Sequence, residues 1–203
     1  MNVTDDSDIQ DGRRLRRANS RERLYDAAMA LLETQDFDDL SVDEICRQAG
    51  AGRATFFRIY GGKTGLILEF NRRLAARAAA RLDALGKASA RDSLFAIGDE
   101  IALAWQEVSP AATSLAVEFL RTLTLSDIHH GHPDLLKLIT KVIKCGIERG
   151  ELKASFPPKF LGSIAVVQIS SAVMLWFDHH DQDLPLLINE AIDQWLNGAA
   201  KAG

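Results

Sequence analysis

The 203-residue chain contains few of the residue patterns on which several protein classes depend. Its two cysteines, Cys46 and Cys145, are far apart and form no CxxC pair, so the sequence indicates neither a disulfide framework nor a thiolate zinc site. The N-terminus has no charged-then-apolar run of the kind that marks a secretory signal. No two-residue strand periodicity and no internal repeat is visible. We therefore expect a reduced, cytoplasmic, all-α protein.

Motifs for covalent or metal-assisted catalysis are also missing. The sequence contains no GxSxG, no HExxH and no cysteine–histidine arrangement, so we expect no enzyme activity, no cofactor and no catalytic metal. Gly62-Lys63-Thr64 resembles the end of a phosphate-binding loop, but that motif needs a glycine where Phe57 stands and a strand before it. We therefore do not interpret it as a nucleotide site.

The histidines form the one pattern that resembles a metal site. They fall into two groups near aspartates, His129-His130-His132 and His179-His180, and could supply nitrogen and oxygen ligands. Both groups lie at expected helix ends or loops, where polar residues are common. A solvated or capping role is favoured over metal sensing.

Positive charge is concentrated in one short segment, although the chain as a whole has a formal charge of −4. Residues 47–73 contain six basic side chains and one acidic one, Glu69, whereas residues 74–203 contain twelve basic and fifteen acidic residues. Four arginines lie just upstream: Arg13, Arg14, Arg16 and Arg17. This asymmetry indicates a DNA-binding head on a body with another role.

Helical periodicity extends from residue 20 to near the C-terminus. Leu24, Ala27, Ala28, Leu31 and Leu32 form the apolar stripe of a first helix, with Ser20 as its expected N-cap. Beyond Gly86 we expect helices at roughly 90–107, 110–125, 133–149, 157–179 and 183–198, about nine helices in all. The longest apolar run, Phe160 to Phe177, contains four polar residues and lacks basic anchors on both sides, which disfavours a membrane span.

A helix-turn-helix pattern occupies residues 41–60. Ser41 and Glu44 form a capping box, Gly50-Ala51-Gly52 supplies a tight turn, and a second short helix is predicted from Arg53 to Tyr60. Such a layout places one helix in the DNA major groove, where its cations meet phosphates and its first residues reach base edges. Two packed helices with a solvated basic face are the simpler alternative.

The ordered string from Ala49 to Leu66 resembles the signature of the TetR family of transcriptional regulators, usually AGVSxGTLYxHFxxKxxL. The resemblance covers residues 20–74 well. Downstream, only the helix count, the Gly150-Glu151-Leu152 turn and the overall length agree.

The resemblance implies roles for individual residues. Arg53 and Ala54 would face bases, while Thr55, Phe57 and Lys63 would lie along phosphates. Phe56 and Tyr60 would pack the head. The full set expected to bind DNA is Arg47, Arg53, Ala54, Thr55, Phe57, Arg58 and Lys63. Three departures from the signature bear on affinity: Phe57 replaces a tyrosine, Ile59 a histidine, and Gly52 a capping serine or threonine.

The resulting domain prediction has three parts. Residues 1–17 form a disordered basic arm, 18–78 a helix-turn-helix DNA-binding domain, and 79–203 a helical effector-binding and dimerisation domain. Aromatic residues of that last domain are core residues that could also line an effector pocket: Phe95, Trp105, Phe119 and Trp176.

The predicted function is a ligand-responsive repressor. It would bind double-stranded, palindromic operator DNA as a homodimer through its last two helices, and an unknown small molecule would be its effector. The alternatives are an activator, or a helical small-molecule-binding protein or adaptor without specific DNA binding.

Overall fold

The computed structural model describes residues 6–108, 132–153 and 156–199 and contains eight α-helices and no strand within those residues. The predicted helix at 110–125 and Phe119 lie outside the described residues. The chain divides into two compact units, here called the head, which ends at Glu69, and the bundle, which starts at Phe70. The all-α prediction is confirmed for the described parts.

The first helix, α1, extends from Asp6 to Leu31. The helix therefore includes residues 6–17, which we expected to be a disordered arm from their composition. Ser20, the expected N-cap, lies inside the helix. Half of residues 6–17 are arginine, glutamine or leucine, which are good helix formers. Burial begins at Leu24 and continues through Ala28 to Leu32.

Helices α2 (Val42–Ala49) and α3 (Arg53–Tyr60) form the predicted helix-turn-helix. The Ser41 side chain accepts a hydrogen bond from the Glu44 backbone N–H at 3.1 Å, which confirms the N-terminal cap of α2. Gly50 ends α2 with φ 59°, a left-handed conformation that favours glycine. The expected tight turn is confirmed.

Helix α4 (Thr64–Leu85) contributes residues to both units, and the change from head to bundle falls between Glu69 and Phe70. The boundary expected from the sequence, residue 78, lies in the same helix. Leu66 and Ile67 are buried in the head, whereas Phe70 and Leu74 are buried in the bundle.

The bundle continues with α5 (Ala90–Gln106), α6 (Pro133–Glu148), α7 (Pro158–Asp178) and α8 (Leu184–Ala199). Helix α7 packs between α6 and α8, and α8 also packs on α5. Glycine allows one of these close approaches, because a Cβ on Gly98 would lie 2.6 Å from Ile192 Cδ1 and 2.9 Å from Ile188 Cγ2. The bundle is held by close apolar packing.

Helix α7 is long and apolar enough to cross a bilayer by length and composition, and half of its most apolar window is buried. Its buried positions recur at helical spacing and face α6 and α8: Leu161, Ala165, Val166, Ile169 and Val173. This pattern is typical of a core helix in a globular protein.

Candidate nucleic-acid interface

The inner face of α3 is apolar and fixes the helix to the rest of the head. Phe56 is fully buried, and its ring centroid lies 5.4 Å from that of Tyr60 and 5.7 Å from that of Phe57. Ile45 and Ala49 of α2 are buried as well. The packing role that the resemblance implied for Phe56 and Tyr60 agrees with this burial.

A polar cluster of Arg21, Tyr60 and Glu69 joins three helices of the head. The Tyr60 hydroxyl donates to the Arg21 carbonyl at 2.7 Å, and Arg21 Nη1 lies 2.9 Å from Glu69 Oε2. The Glu69 side chain is 1% exposed and that of Arg21 30% exposed. A buried carboxylate requires a charged or hydrogen-bonding partner, so this cluster constrains how α3 sits against α1 and α4.

The outer face of α3 carries most of the residues expected to bind DNA. Arg53, Ala54 and Arg58 are exposed, Thr55 is half-buried, and Phe57 is 44% exposed although one ring edge contacts Phe56. Gly52 begins the helix without a side-chain cap, as expected from the missing hydroxyl. These five positions of α3 are therefore brought together on one accessible surface.

Two of the predicted cations already have acidic neighbours on α2. Arg53 Nη1 donates to Asp43 Oδ1 at 2.5 Å, and the Arg53 guanidinium carbon lies 5.8 Å from the centre of the Phe57 ring. Arg47 Nη2 lies 3.6 Å from Glu44 Oε1. Asp43 was not among the residues expected at the interface, because ten positions separate it from Arg53 in the sequence and only the turn brings the two side chains together.

Lys63 makes two main-chain contacts within the head. Its Nζ donates to the Phe37 carbonyl at 2.8 Å and to the Asp38 carbonyl at 3.0 Å, and it lies 5.1 Å from the centre of the Phe37 ring. An ammonium has three donors. Two of them hold the loop before α2, so the expected phosphate contact of Lys63 stays a prediction.

The family profile for bacterial regulatory proteins of the tetR family matches residues 24–70, the segment that holds this interface. This match lies almost entirely in the head, which is therefore similar to the tetR family. A protein of Mycobacterium tuberculosis assigned as the mycofactocin biosynthesis transcriptional regulator MftR is 39% identical over 51 residues, which is 25% of this chain and 26% of that relative. The chain thus matches about a quarter of the length of this curated relative.

The fold resembles solved TetR-family structures over most of the chain. Thermus thermophilus FadR, a transcriptional repressor in complex with lauroyl-CoA, superposes with a TM-score of 0.69, at 22% identity, over 90% of this chain and 96% of that one. Bacillus subtilis FadR in complex with stearoyl-CoA gives 0.64, at 19% identity, over 88% and 98%. SmeT, the repressor of the Stenotrophomonas maltophilia efflux pump SmeDEF, gives 0.64, at 16% identity, over 90% and 91%.

Compared with the TetR signature, this head has its tyrosine at a different place on α3. The signature has a tyrosine at the position of Phe57 and a phenylalanine at that of Tyr60. Here the outward ring carries no hydroxyl, and the inward hydroxyl donates to the Arg21 carbonyl. The exchange moves a hydrogen-bond donor from the accessible face of α3 into the packing of the head.

The described residues that were expected to line an effector pocket do not all lie close together in the bundle. Trp105 is buried against Phe70 and Phe177, with ring centroids 4.7 and 5.4 Å apart, and Phe177 also contacts Trp176 at 5.1 Å. Phe95 lies near the other end of α5, under Arg91 of the same helix at 4.9 Å. Ten residues of helix span about 15 Å. Their role in effector binding stays a prediction.

A basic groove lies elsewhere in the bundle, between the C-terminal part of α4 and α6. It consists of two adjoining cavities of about 420 and 350 Å³ that share Ala79, Leu138 and Lys141. Its other lining residues include cations and aspartates at its rim: Arg72, Asp83, Asp134, Lys137 and Arg149. The sequence does not predict this groove, because the two helices that form it are about fifty residues apart in the chain.

Among the described histidines, His132 is buried and His179 and His180 are exposed. Burial lowers the pKa of His132 to about 4, so its imidazole is neutral at physiological pH. No group of three metal-ligating side chains occurs among the described residues, and His129 and His130 lie outside them. His132 directly precedes Pro133 at the start of α6, one of the helix ends expected from the sequence.

Proposed function

We propose that this protein is a transcriptional regulator, a ligand-responsive repressor that binds a palindromic operator as a homodimer and acts in the cytoplasm without catalysing a reaction. The observation that carries the proposal is the accessible face of α3, with Arg53, Phe57 and Arg58, on a head whose residues 24–70 match the tetR family. A short helix of this kind, held by the rest of the head and carrying exposed cations, can enter the major groove of DNA.

Selection of DNA fragments by the purified protein, followed by titration at several salt concentrations, tests the DNA-binding role. We expect a palindromic preferred site and an affinity that falls as salt rises, because phosphate neutralisation releases counterions. Absence of any sequence preference would contradict the proposal.

Two single variants distinguish base contacts from phosphate contacts. Arg53→Ala should cost about 1–3 kcal/mol on the preferred site and relax specificity at one base pair. Lys63→Ala should weaken all sequences similarly and reduce the salt slope by about one unit. Lys63 also donates hydrogen bonds to the Phe37 and Asp38 carbonyls, so the Lys63→Ala variant could be less stable. Its melting temperature is therefore compared with that of the wild-type protein. Wild-type affinity for both variants would contradict the assigned interface.

An exposed apolar stripe along α7 supports the homodimer. The exposed apolar residues Phe160, Ile164, Met174 and Leu175 lie on one side of the helix, together with the polar Ser171. We expected α8 to contribute an apolar stripe of Leu184, Leu187, Ile188, Ala191, Ile192 and Trp195 to the interface. Leu184, Ile188, Ile192 and Trp195 are buried within their own protomer, whereas Leu187 and Ala191 are half-buried, so α7 offers the larger apolar surface to a partner. Leu186 is the exposed large apolar residue of α8 instead.

Light scattering at micromolar concentration tests this surface with a matched pair of variants. Met174→Glu places a charge in the α7 stripe, whereas Leu103→Glu places one on α5 at nearly equal exposure, 45% against 46%. We expect a dimeric wild type, a dimer for Leu103→Glu and a monomer for Met174→Glu, because a charge in an apolar interface is costly. A monomeric wild type would contradict the homodimer.

The basic groove supports an anionic, amphipathic effector. Alanines and Leu138 supply apolar surface, and Lys137 and Lys141 lie one helical turn apart on α6. The FadR structures contain lauroyl-CoA and stearoyl-CoA, which combine an acyl chain with phosphates. We therefore propose a long-chain acyl thioester or a molecule of similar chemistry as the effector class.

Thermal shift and tryptophan fluorescence with lauroyl-CoA test the effector proposal, with free coenzyme A and laurate as controls. We expect a higher melting temperature with lauroyl-CoA and release of operator DNA. Quenching of the tryptophans would support entry beside Trp105 and Trp176, whereas stabilisation without quenching, lost in Lys137→Glu, would support the groove alone. No shift with any of the three compounds would contradict this effector class.

A helical ligand-binding protein or adaptor without specific DNA binding is the second candidate function. It is favoured by the pairing of Arg53 and Arg47 with Asp43 and Glu44, which reduces the positive field of the head. A protein that binds ligand but shows no salt-dependent DNA binding would support this candidate.

A further inference from the structure

Asp43 lies in the first turn of α2, at the entrance to the helix-turn-helix. Its carboxylate is two-thirds exposed and benefits from the free N–H groups of the helix N-terminus. An acid on the accessible side of a DNA-binding head is unfavourable toward phosphates. Asp43 must therefore have a role other than binding the DNA backbone.

The partner of this carboxylate is the first side chain of α3. Arg53 Nη1 donates to Asp43 Oδ1, and the Arg53 guanidinium also lies beside the Phe57 ring one turn further along the helix. Gly52 has no side chain that could hold Arg53 from the N-terminal side. Two contacts, one ionic and one aromatic, thus fix a long side chain that would otherwise sample many rotamers.

We propose that Asp43 is a positioning residue that sets base preference at the operator position read by Arg53, and that the base preferred there is guanine. The proposal rests on the proposed DNA-binding function. A guanidinium has five N–H donors in a rigid fork, so a single bond to Asp43 leaves donors for a bidentate contact with guanine O6 and N7.

The contact with Asp43 acts on the orientation of the Arg53 side chain and contributes little to the stability of the fold. An exposed ion pair contributes little to folding. Immobilising a flexible side chain at an interface, however, is costly, and a side chain that is already held avoids much of this cost when it meets the correct base. A wrong base receives no such advantage, so loss of the Asp43 contact should reduce discrimination and not only affinity.

The experiment uses the full-length protein and four versions of its selected operator, each with a different base pair at the position where Arg53→Ala loses preference. Asp43→Asn removes the ionic partner. Glu44→Gln removes an equal charge from the adjacent residue, whose neighbours are Arg47 and Ser41, and leaves Arg53 untouched. Asp43→Glu keeps the charge and tests rescue.

We expect the wild type to prefer guanine about 5- to 150-fold. Asp43→Asn should lower this preference about 2- to 12-fold, the range that corresponds to ordering one side chain. Both neutral variants should bind random DNA more tightly, because each removes one negative charge near the phosphates. Only Asp43→Asn should alter base preference, and Asp43→Glu should restore part of it.

In an Arg53→Ala background, Asp43→Asn should have no further effect on base preference, since the side chain it positions is absent. An unchanged or increased preference in Asp43→Asn, or an equal loss in Glu44→Gln, would overturn the positioning role while leaving DNA binding intact. A wild type without sequence preference would instead overturn the proposed function itself. Melting temperatures of the single variants confirm that each protein is folded.

Discussion

The head and the bundle are both built from helices, yet different forces hold their helices in place. In the head, α2 and α3 are eight residues each, and polar contacts of Arg21, Tyr60 and Lys63 supplement a small core. In the described part of the bundle, α5 to α8 are sixteen to twenty-one residues long and pack through apolar faces, with α5 approaching α8 at Gly98. Short helices are marginal alone. The head should therefore be sensitive to the loss of single polar groups, and the bundle to changes of volume.

The largest expected effect is in the head. Arg21→Met removes one ionic partner of Glu69, and we expect a loss of about 3 kcal/mol in the free energy of unfolding, the low end for a broken buried pair because Arg21 is partly exposed. Urea unfolding measures this loss. The double variant Arg21→Met with Glu69→Met should recover part of it, since the buried Glu69 carboxylate is then removed together with this partner. An unchanged stability in the single variant would show that the polar contact does not hold the head.

The matching test in the bundle changes volume without changing charge. Gly98→Val places a side chain where a Cβ alone would lie 2.6 Å from Ile192, so overpacking should cost about 2 kcal/mol. Gly198→Ala, near the end of α8 where a Cβ meets no atom within 4 Å, is the control and should be neutral or stabilising. Thermal unfolding of both variants measures the difference. Equal melting temperatures would contradict close packing between α5 and α8.

The bundle also contains one buried titratable group whose effect depends on pH. The pKa of His132 is about 4 in the folded protein and about 6.5 when unfolded, so the unfolded state binds more protons between these values. The contribution of this site to stability is largest well above pH 6.5 and falls as the pH is lowered below that value, by about 1 kcal/mol at pH 5.5. His132→Leu should lack this part of the pH dependence, and exposed His179→Gln should retain it. Urea unfolding at pH 7.5 and 5.5 tests the prediction.

The smallest expected effect is on the outer face of the head. Phe57→Tyr restores a hydroxyl that can donate to a phosphate, and we expect binding to tighten by roughly 0.5–1.5 kcal/mol on operator and random DNA alike. The 44% exposure of the Phe57 ring leaves room for that hydroxyl to stay in solvent, so the melting temperature should be unchanged. A destabilised variant without tighter binding would remove Phe57 from the DNA-contacting residues.

The helix-turn-helix was predictable because its signals are local. The capping pair Ser41 and Glu44, the glycines of the turn and the apolar periodicity of α2 each act within a few residues, and the structure confirms the helix limits that they indicate. The N-terminal limit of α1 was missed for the opposite reason. A polar segment without an apolar stripe gives no periodic signal, and its helix-favouring arginines are mixed with aspartates and a glycine that favour helix less.

The sequence by itself determined the all-α class, the place of the helix-turn-helix and the composition of the outer face of α3, because these depend on local propensity and spacing. Only the tertiary structure decided which partners those side chains have. Asp43 meets Arg53, Glu69 meets Arg21, and Lys63 meets the Phe37 carbonyl, across separations of ten to forty-eight residues. The same is true of the α8 stripe, whose periodicity requires burial against some surface but cannot specify whether that surface belongs to its own chain or to a partner. A helical stripe is equally apolar whether it is buried within its own chain or against a partner, so only the packing of the folded chain shows which of the two occurs.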